Sequence, residues 1–360
     1  MFRQGRTEEP PEKTSDIAAT LANEGLRYVS DKSPGYRRKR AGTAFAYYDI
    51  NGKRIADPLV VKRIKSIGIP PAYESVWICP SPNGHIQATG LDARGRKQYR
   101  YHPKWRELRD QNKYERILQF AAKLPALRRR ITSDMTRDGL PRQKVLATVA
   151  CLLDKTLIRV GNQEYATANK SYGLTTLRRK HAAVKNGELR LEFIGKSGKR
   201  WNLRISDRRI VSIVKRCAEI PGHDLFKYID DDGHVCAVGS GEVNAYIKDA
   251  MEDDFSAKDF RTWAGTVLAA TALAKYDVAP SKAAAKRNVT AAIEAVARQL
   301  GNTPAICRKC YVHPEIVDAY VCGDLADLAS IRLGIRFQRR YARLNANERR
   351  VLAFLQKRLA

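Results

Sequence analysis

The sequence predicts an α+β fold, in which a small antiparallel β-rich amino domain precedes a larger, mostly α-helical domain with a small β-hairpin sheet. Short alternating runs separated by Asn-Gly dipeptides occupy residues 27–102. Apolar residues at helical spacing dominate the remainder. One pair of alternating runs, at 189–205, interrupts the helices. We therefore expect domains at residues 26–105 and 106–360.

Composition limits the class of protein and of partner. The chain has 360 residues, 44% of them hydrophobic, which suffices for two domains with cores of their own. Lys and Arg number 66 against 38 Asp and Glu, a formal net charge of +28. This surplus indicates a polyanionic partner such as DNA or RNA, because neutralising phosphates releases condensed counterions. An anionic membrane surface is the competing partner, but no run of 18 apolar residues exists. The alternative that the positive charge serves only solubility, without a polyanionic partner, stays open.

Residues 1–25 carry two prolines and several charges without an apolar stretch, so we expect a flexible tail rather than a signal peptide or anchor. Seven cysteines, an odd number, indicate reduced thiols in a cytoplasmic protein. Cys307, Cys310 and His313 form a C-x-x-C-x-x-H cluster. A tetrahedral zinc site needs a fourth ligand, for which the nearest candidate is Cys322, so we expect no metal.

The first domain is predicted to consist of strands and hairpins. The runs 44–48 and 76–79 are each followed by an Asn-Gly turn signal, so each is predicted to continue as strand, turn and strand. The segment 92–105 interleaves Arg, Lys, Gln and aromatic residues, which suits contacts to DNA phosphates and grooves. A basic edge strand that opposes aggregation is an equal alternative.

A strong helix is predicted from Pro141, because apolar residues recur at i, i+3 and i+4 beyond it. Gly161 is predicted to end this helix, which puts Arg159 in its last turn. A single arginine in that place usually does no more than stabilise the helix end. A weaker helix is predicted at 107–123, and an amphipathic one from Asn345 to the end of the chain.

Alternating apolar residues at 189–193 and 201–205 predict a hairpin with Lys196 at its tip. The triplet 195–197, Gly-Lys-Ser, is similar to the end of a phosphate-binding loop. That loop needs a glycine where Arg190 stands, and a helix rather than a strand afterwards. We therefore expect no nucleotide here.

Two further helices complete the pattern. On the helix predicted at 256–275, Lys258 and Arg261 are three residues apart, so they share a face and can bind one anion together. A helix at 281–300 is predicted to end at Gly301.

Tyr311 follows shortly afterwards, beside Arg308 and Lys309. A phenol with a pKa of about 10 is a poor nucleophile at neutral pH unless nearby cations stabilise the phenolate. Taken alone, the stretch is more typical of a half-buried aromatic residue whose hydroxyl bonds to a backbone carbonyl.

Four segments in this order resemble the catalytic boxes of the type IB DNA topoisomerases, most closely the compact poxvirus-like form found in bacteria. The similarity covers roughly residues 27–330. The segments are Leu157-Ile-Arg-Val-Gly-Asn162, Leu191-Glu-Phe-Ile-Gly-Lys196, Ser256-Ala-Lys-Asp-Phe-Arg-Thr262, and the stretch from Gly301-Asn-Thr-Pro to Tyr311.

The resemblance implies catalytic roles for five residues. Tyr311 would be the nucleophile that forms a 3′-phosphotyrosine link. Arg159 and Arg261 would bind the scissile phosphate. Lys196 would protonate the departing 5′-oxygen, and Lys258 would assist that proton transfer.

The resemblance also implies DNA contacts and an overall activity. The contacts would be made by Gln98, Tyr99, Tyr101, Gly161 and Tyr165. The two domains would form a clamp around double-stranded DNA, and the enzyme would relax supercoils by single-strand cleavage, swivelling and religation. The implied chemistry requires neither ATP nor a metal, so no cofactor is expected. The protein would be a monomer in the cytoplasm, associated with the nucleoid.

Asn302 departs from the commonest pattern of this family, which places a histidine nine residues before the tyrosine. An amide can donate a hydrogen bond to a non-bridging phosphate oxygen, but it carries no positive charge. We expect Asn302 to keep a positioning role and to stabilise the transition state less.

Two other functions stay open at this point. A tyrosine recombinase or integrase would use a related domain and the same covalent link, although recombinases more often have His-x-x-Arg where this chain has Lys258 and Arg261. A non-catalytic, architectural DNA-binding protein would need only the positive charge.

Overall fold

The computed structural model describes residues 18–19, 21–93, 95–328 and 330–359, without the side chains of residues 109–113 and 327. The chain divides into two compact units, residues 1–113 and 114–360. Most of the predicted tail, residues 1–25, lies outside the described residues. Within the described residues, no helix is both long enough and apolar enough to span a membrane.

The first unit is built on a five-stranded antiparallel sheet with the strand order β2-β1-β3-β4-β5. Its strands are β1 Tyr36–Ala41, β2 Ala44–Tyr48, β3 Glu74–Ile78, β4 Ile86–Leu91 and β5 Lys97–Tyr101. Helix α1, Pro58–Ser66, begins after Asp57, whose side chain accepts a hydrogen bond from the Leu59 amide. Ile64 of α1 lies in the buried apolar cluster of the sheet.

One of the two predicted hairpins is wrong and the other is confirmed. β2 pairs with the preceding β1, and beyond the Asn-Gly turn only a single bridge joins Tyr48 and Arg54. The Asp49 side chain accepts the amide hydrogens of Asn51 and Lys53, which closes a tight turn, and the returning chain pairs with β2 at this one bridge without forming a strand. The hairpin predicted from the runs at 76 and 85 is formed by β3 and β4.

The second unit is mostly helical. Helix α2, Pro103–Asp134, spans the boundary between the units. The later helices are α3 Arg142–Thr156, α4 Gln163–Asn169, α5 Arg208–Glu219, α6 Ser240–Met251, α7 Ala257–Leu273, α8 Lys282–Leu300, α9 Pro304–Cys310, α10 Pro314–Cys322, α11 Ile335–Arg340 and α12 Ala346–Leu359.

Two small sheets accompany these helices. Strands β6 Ala182–Lys185, β7 Glu188–Ile194 and β8 Arg200–Ile205 form a three-stranded antiparallel sheet, and β9 Lys227–Ile229 pairs with β10 Val235–Ala237. The predicted hairpin is confirmed as β7 and β8, with Lys196 in the turn that joins them. Strand β6 was not predicted.

Helix α7 is central to the second unit, because it packs against α3, α6, α8, α10 and α12. Phe260 and Trp263 on α7 are both buried. The predicted helices at 256–275 and 281–300 are confirmed as α7 and α8, and Ser281 caps α8 by accepting a hydrogen bond from the Ala284 amide at 3.2 Å. The helix that bears Lys258 and Arg261 is therefore held on several sides.

The helix predicted from Pro141 ends earlier than expected. Leu157 adopts a left-handed conformation, with φ of 57°, so α3 stops at Thr156 rather than at Gly161. The next carbonyls turn away to other partners: that of Arg159 accepts a hydrogen bond from the Leu174 amide at 2.9 Å. Arg159 therefore lies after the helix, in a segment without regular secondary structure, and not in its last turn.

Candidate active site

The segment that carries Arg159 is fixed by a close crossing of two glycines. A Cβ atom on Gly173 would lie 2.5 Å from the Cα atom of Gly161, so the crossing requires glycine. Gly161 itself has φ of 106°, a conformation that other residues rarely adopt. The side chain of Arg159 is half-buried. This crossing holds Arg159 beside α7, although Arg159 itself does not belong to a helix.

Arg261 connects the ends of two helices. It is 3% exposed, and a buried guanidinium is costly without hydrogen bonds. Its Nη1 donates to the carbonyl of Leu157, just after α3, and its Nη2 donates to the carbonyl of Leu300, at the end of α8, at 2.7 Å. Its Nε has no partner among the described residues. Lys258, one turn earlier on α7, is exposed.

Arg159 and Asn302 form a direct pair. Nη2 of Arg159 donates a hydrogen bond to Oδ1 of Asn302, the residue that follows Gly301 at the end of α8. Burial lowers the pKa of Arg159, and the positive charge of Arg261 lowers it further. Two guanidiniums that destabilise each other in this way are stabilised by an anion bound between them.

Tyr311 lies at the end of the short helix α9, which the sequence analysis did not predict. Thr303 caps this helix, and Pro304 occupies its first turn. This Thr-Pro pair is a helix-start signal that could have revealed it. Tyr311 is half-buried, and the Cζ atom of Arg261 lies 5.1 Å from the centre of its ring. The phenol is therefore next to fixed positive charge.

Lys196 lies in the exposed turn between β7 and β8. Its Nζ is 5.6 Å from the centre of the Tyr165 ring. Nζ of the nearby Lys199 donates to the carbonyl of Arg298 on α8 at 2.6 Å, which attaches the base of the turn to that helix. The ammonium group at the tip is thus exposed, while the hairpin that carries it is attached to α8.

These side chains converge on one cavity of about 410 Å³. The predicted residues that line it are Arg159, Gly161, Tyr165, Lys196, Lys258, Arg261 and Tyr311. Asn302 is joined to them through Arg159. Ser171 and Tyr172 also line the cavity. No sequence signal marked that loop, which is held by the hydrogen bond from the Tyr172 amide to the Ile194 carbonyl.

The other predicted DNA contacts lie on β5 in the first unit. The rings of Tyr99 and Tyr101 are stacked, with centres 5.8 Å apart, and Nζ of Lys97 is 5.6 Å from the centre of the Tyr99 ring. Tyr99 is 43% exposed, which leaves an aromatic surface for base or sugar contacts. Gln98 already donates a hydrogen bond to the Asp92 carboxylate at 3.0 Å.

Cys307 and His313 of the C-x-x-C-x-x-H cluster contribute to packing and to helix capping. Cys307 is buried on α9, and Nδ1 of His313 accepts a hydrogen bond from the Glu315 amide, so His313 caps α10. In the part of the chain that the structure describes, one group of side chains could hold a metal ion, and it lies in the turn between β9 and β10. Its members are Asp230, Asp232 and His234.

Comparisons with known proteins identify the family of both units. Residues 102–321 match the family "Eukaryotic DNA topoisomerase I, catalytic core", and residues 44–92 match "Bacterial DNA topoisomerase IB, N-terminal domain". The chain is similar to DNA topoisomerase 1B of Acanthamoeba polyphaga mimivirus, with 32% identity over 293 residues, which cover 79% of this chain and 87% of the viral one. It is also similar to DNA topoisomerase 1B of Vaccinia virus (strain Copenhagen), with 22% identity over 266 residues, 72% of this chain and 79% of the viral one.

The first of these matches spans more than half of the chain, and it includes the whole of the cavity described above. The similarity to the mimivirus relative extends over 79% of this chain, at a level of identity that indicates common descent. The protein is a member of the type IB DNA topoisomerases, and it is an enzyme of that family.

Proposed function

We propose that this enzyme relaxes supercoiled duplex DNA through a transient 3′-phosphotyrosine link to Tyr311. The phenolic oxygen of Tyr311 attacks the scissile phosphorus and gives its proton to solvent water, while the bond from phosphorus to the 5′-oxygen breaks. The freed strand swivels about the intact one. The 5′-hydroxyl then attacks the phosphotyrosine, which restores the DNA and releases Tyr311.

Arg159 and Arg261 act on the charge of the phosphate. Negative charge spreads over the non-bridging oxygens during in-line displacement, and preorganised donors stabilise it. Burial and mutual repulsion lower the pKa of Arg159, so a bound phosphate relieves an unfavourable arrangement. The Nε of Arg261, with no partner among the described residues, is a donor still available to this anion.

Lys196 acts on the leaving group. The 5′-oxygen leaves as a hydroxyl only if it gains a proton as the bond breaks, and an ammonium can supply it. The exposed turn lets Lys196 approach bound DNA, and Lys258 assists the transfer from the same cavity. Tyr165 and Gly161 contact the DNA beside the scissile phosphate.

One observation carries the proposal. Arg159, Lys196 and Arg261 come from separate parts of the chain, yet they line the same cavity as Tyr311. Two guanidiniums, an ammonium and a phenol are together sufficient for phosphodiester transesterification, since they supply charge stabilisation, a proton donor and a nucleophile. The family match supports this chemistry over a recombinase or an architectural protein. The clamp of the two units around duplex DNA stays a prediction.

The test is relaxation of supercoiled plasmid in EDTA without nucleotide. We expect the wild type to relax the plasmid and to leave covalent protein on DNA after denaturation. Tyr311→Phe should bind DNA but give neither product. Tyr276→Phe removes an exposed phenol outside the cavity and should behave as wild type. The proposal would be contradicted if Tyr311→Phe relaxed the plasmid. It would also be contradicted if the wild type bound DNA but did not relax it.

A further inference from the structure

We propose that Gly265 and Thr266 are positioning residues that form a seat on α7 for the main chain of Tyr311. The inference rests on the proposed role of Tyr311 as the nucleophile. It assigns a function to two residues that do not line the cavity and that act through Tyr311.

Gly265 allows the closest approach. A Cβ atom at this position would lie 2.7 Å from the carbonyl oxygen of Tyr311 and 2.9 Å from its Cβ atom. The main chain of the nucleophile therefore lies directly against the backbone of α7. Glycine is less favourable than alanine inside a helix, and the close approach of Tyr311 accounts for its presence in α7.

Thr266 supplies the polar contact. Its Oγ1 accepts the amide hydrogen of His313 at 3.1 Å, and it lies 3.0 Å from the Thr262 carbonyl and 3.3 Å from the Tyr311 carbonyl. One hydroxyl proton can serve only one of these two carbonyls at a time. Thr266 is fully buried, so water cannot replace the hydroxyl for the His313 amide.

The other side of the tyrosine is also fixed. The ring of His313 packs 4.8 Å from that of Tyr114, whose hydroxyl donates to the Lys309 carbonyl at 3.1 Å. His313 also caps α10. The segment from Lys309 to His313 thus has little freedom to shift, and its distance from α7 is set by the seat.

The consequence concerns the distance between nucleophile and phosphate. Arg261 lies on α7 one turn before Gly265, so a single helix holds both the phosphate-binding guanidinium and the backbone of Tyr311. In-line attack is sensitive to this distance, and a displacement of about 1 Å can cost about 100-fold in rate.

The test is single-turnover cleavage of a duplex by enzyme in excess. We expect Gly265→Ala and Thr266→Val to cleave about 10- to 100-fold more slowly than wild type, with unchanged duplex affinity. Thr266→Ser keeps the hydroxyl and should restore most of the rate. Thr148→Val is the matched control, because Thr148 is also fully buried and its hydroxyl bonds to the carbonyl four residues earlier, away from Tyr311.

A second substrate separates positioning from proton transfer. When sulfur replaces the 5′-bridging oxygen, the thiolate leaves without a proton. Lys196→Ala should regain rate on this substrate. The defects of Gly265→Ala and Thr266→Val should persist, because they concern the nucleophile.

The outcomes distinguish the inference from the function on which it rests. If the wild type forms a covalent adduct and both variants cleave at its rate, the seat is refuted and the role of Tyr311 stands. A Thr266→Ser variant as slow as Thr266→Val would refute the hydroxyl contact, and so would rescue of Thr266→Val by the sulfur substrate. If the wild type forms no adduct, the proposed function fails and the seat fails with it.

Discussion

Nη2 of Arg159 donates a hydrogen bond to Oδ1 of Asn302, a residue 143 positions further along the chain. The other end of the amide, Nδ2, is buried and has no oxygen or nitrogen acceptor among the described residues, and the thiol of Cys307 lies beside it. A thiol is a weak acceptor, so a phosphate oxygen would satisfy this buried donor better. Asn302 is therefore suited both to orient Arg159 and to bind the substrate.

Asn302 can be tested with two substitutions. Asn302→Ala removes both contacts, and we expect cleavage to slow by about 100-fold, as for loss of one transition-state donor. Asn302→Asp keeps an acceptor for Arg159 but places negative charge beside the phosphate, so it should slow cleavage further. Single-turnover cleavage measures both. A faster rate for Asn302→Asp than for Asn302→Ala would show that orienting Arg159 is the larger role.

Arg261→Lys should lose both stability and activity. Lysine cannot donate to the carbonyls of Leu157 and Leu300 in the fork geometry of a guanidinium. We expect a lower melting temperature and little cleavage even at saturating DNA. Lys258→Arg, at an exposed position on the same helix, should melt as wild type. Wild-type stability of Arg261→Lys would indicate that the two carbonyl bonds contribute little.

The tyrosine pair on β5 should affect binding rather than chemistry. Tyr99→Ala removes an exposed ring stacked on Tyr101, and we expect the Kd for duplex DNA to rise about 10-fold, the effect of losing one stacking contact. The cleavage rate at saturating DNA should not change. Tyr48→Ala, on the opposite edge strand and also beside a lysine, serves as the control. Equal effects of the two substitutions on Kd would argue against a specific surface on β5.

Arg128 should be the most costly ion-pair residue to remove. It donates two hydrogen bonds to Asp154 and two to Glu348 on α12, and these contacts raise its pKa in spite of burial. Arg128→Ala leaves two carboxylates without their cation and should lower the free energy of unfolding by about 3 kcal/mol. Lys155→Ala breaks an exposed pair with Asp207 and should cost less than about 1 kcal/mol. Urea denaturation of the two variants measures the difference.

Asp134 should contribute to the loss of stability in acid. Burial raises its pKa, but hydrogen bonds from Arg137, Arg130 and Tyr246 outweigh burial, and the net pKa falls below the usual 3.8. A carboxyl whose pKa is lower in the folded state than in the unfolded state stabilises the fold at any pH above its unfolded-state pKa. This contribution is lost as the pH falls through its folded-state pKa. Asp134→Asn should therefore be less stable than wild type at pH 7, and the difference in the free energy of unfolding should become smaller below about pH 4. A difference in the free energy of unfolding that stays constant with pH would contradict this linkage. Asp249→Asn is the control: Asp249 is exposed, so this variant should unfold with the same free energy as wild type at pH 7.

The sequence predicted most elements of the fold because their signals are local. Helices α7 and α8 follow from apolar periodicity and their capping serines, and the β7 and β8 hairpin follows from alternation around a Gly-rich turn. The end of α3 could not be predicted in this way. Leu157 is a good helix former, and its left-handed conformation accompanies a hydrogen bond from Arg261 to its carbonyl. Two residues later the Arg159 carbonyl accepts a hydrogen bond from the Leu174 amide, and both partners are remote in sequence.

The same distinction applies to the site. Its charged residues could be singled out, because each lies in a recognisable box of sequence. The contacts that place these residues could not be predicted. The crossing of Gly161 with Gly173 has no sequence signal, and neither has the approach of Gly265 to Tyr311. Each depends on two segments that meet only in the folded chain.

The position of Tyr311 against α7 has a mechanical consequence. In the proposed reaction the cleaved strand is joined to the protein through this one side chain, so tension in the DNA pulls on its main chain. That main chain rests on a helix packed against α3, α6, α8, α10 and α12, and the pull is therefore spread over the interior of the unit. A tyrosine on a loose loop would recoil under such a force, and the broken ends would drift out of register before they could be rejoined.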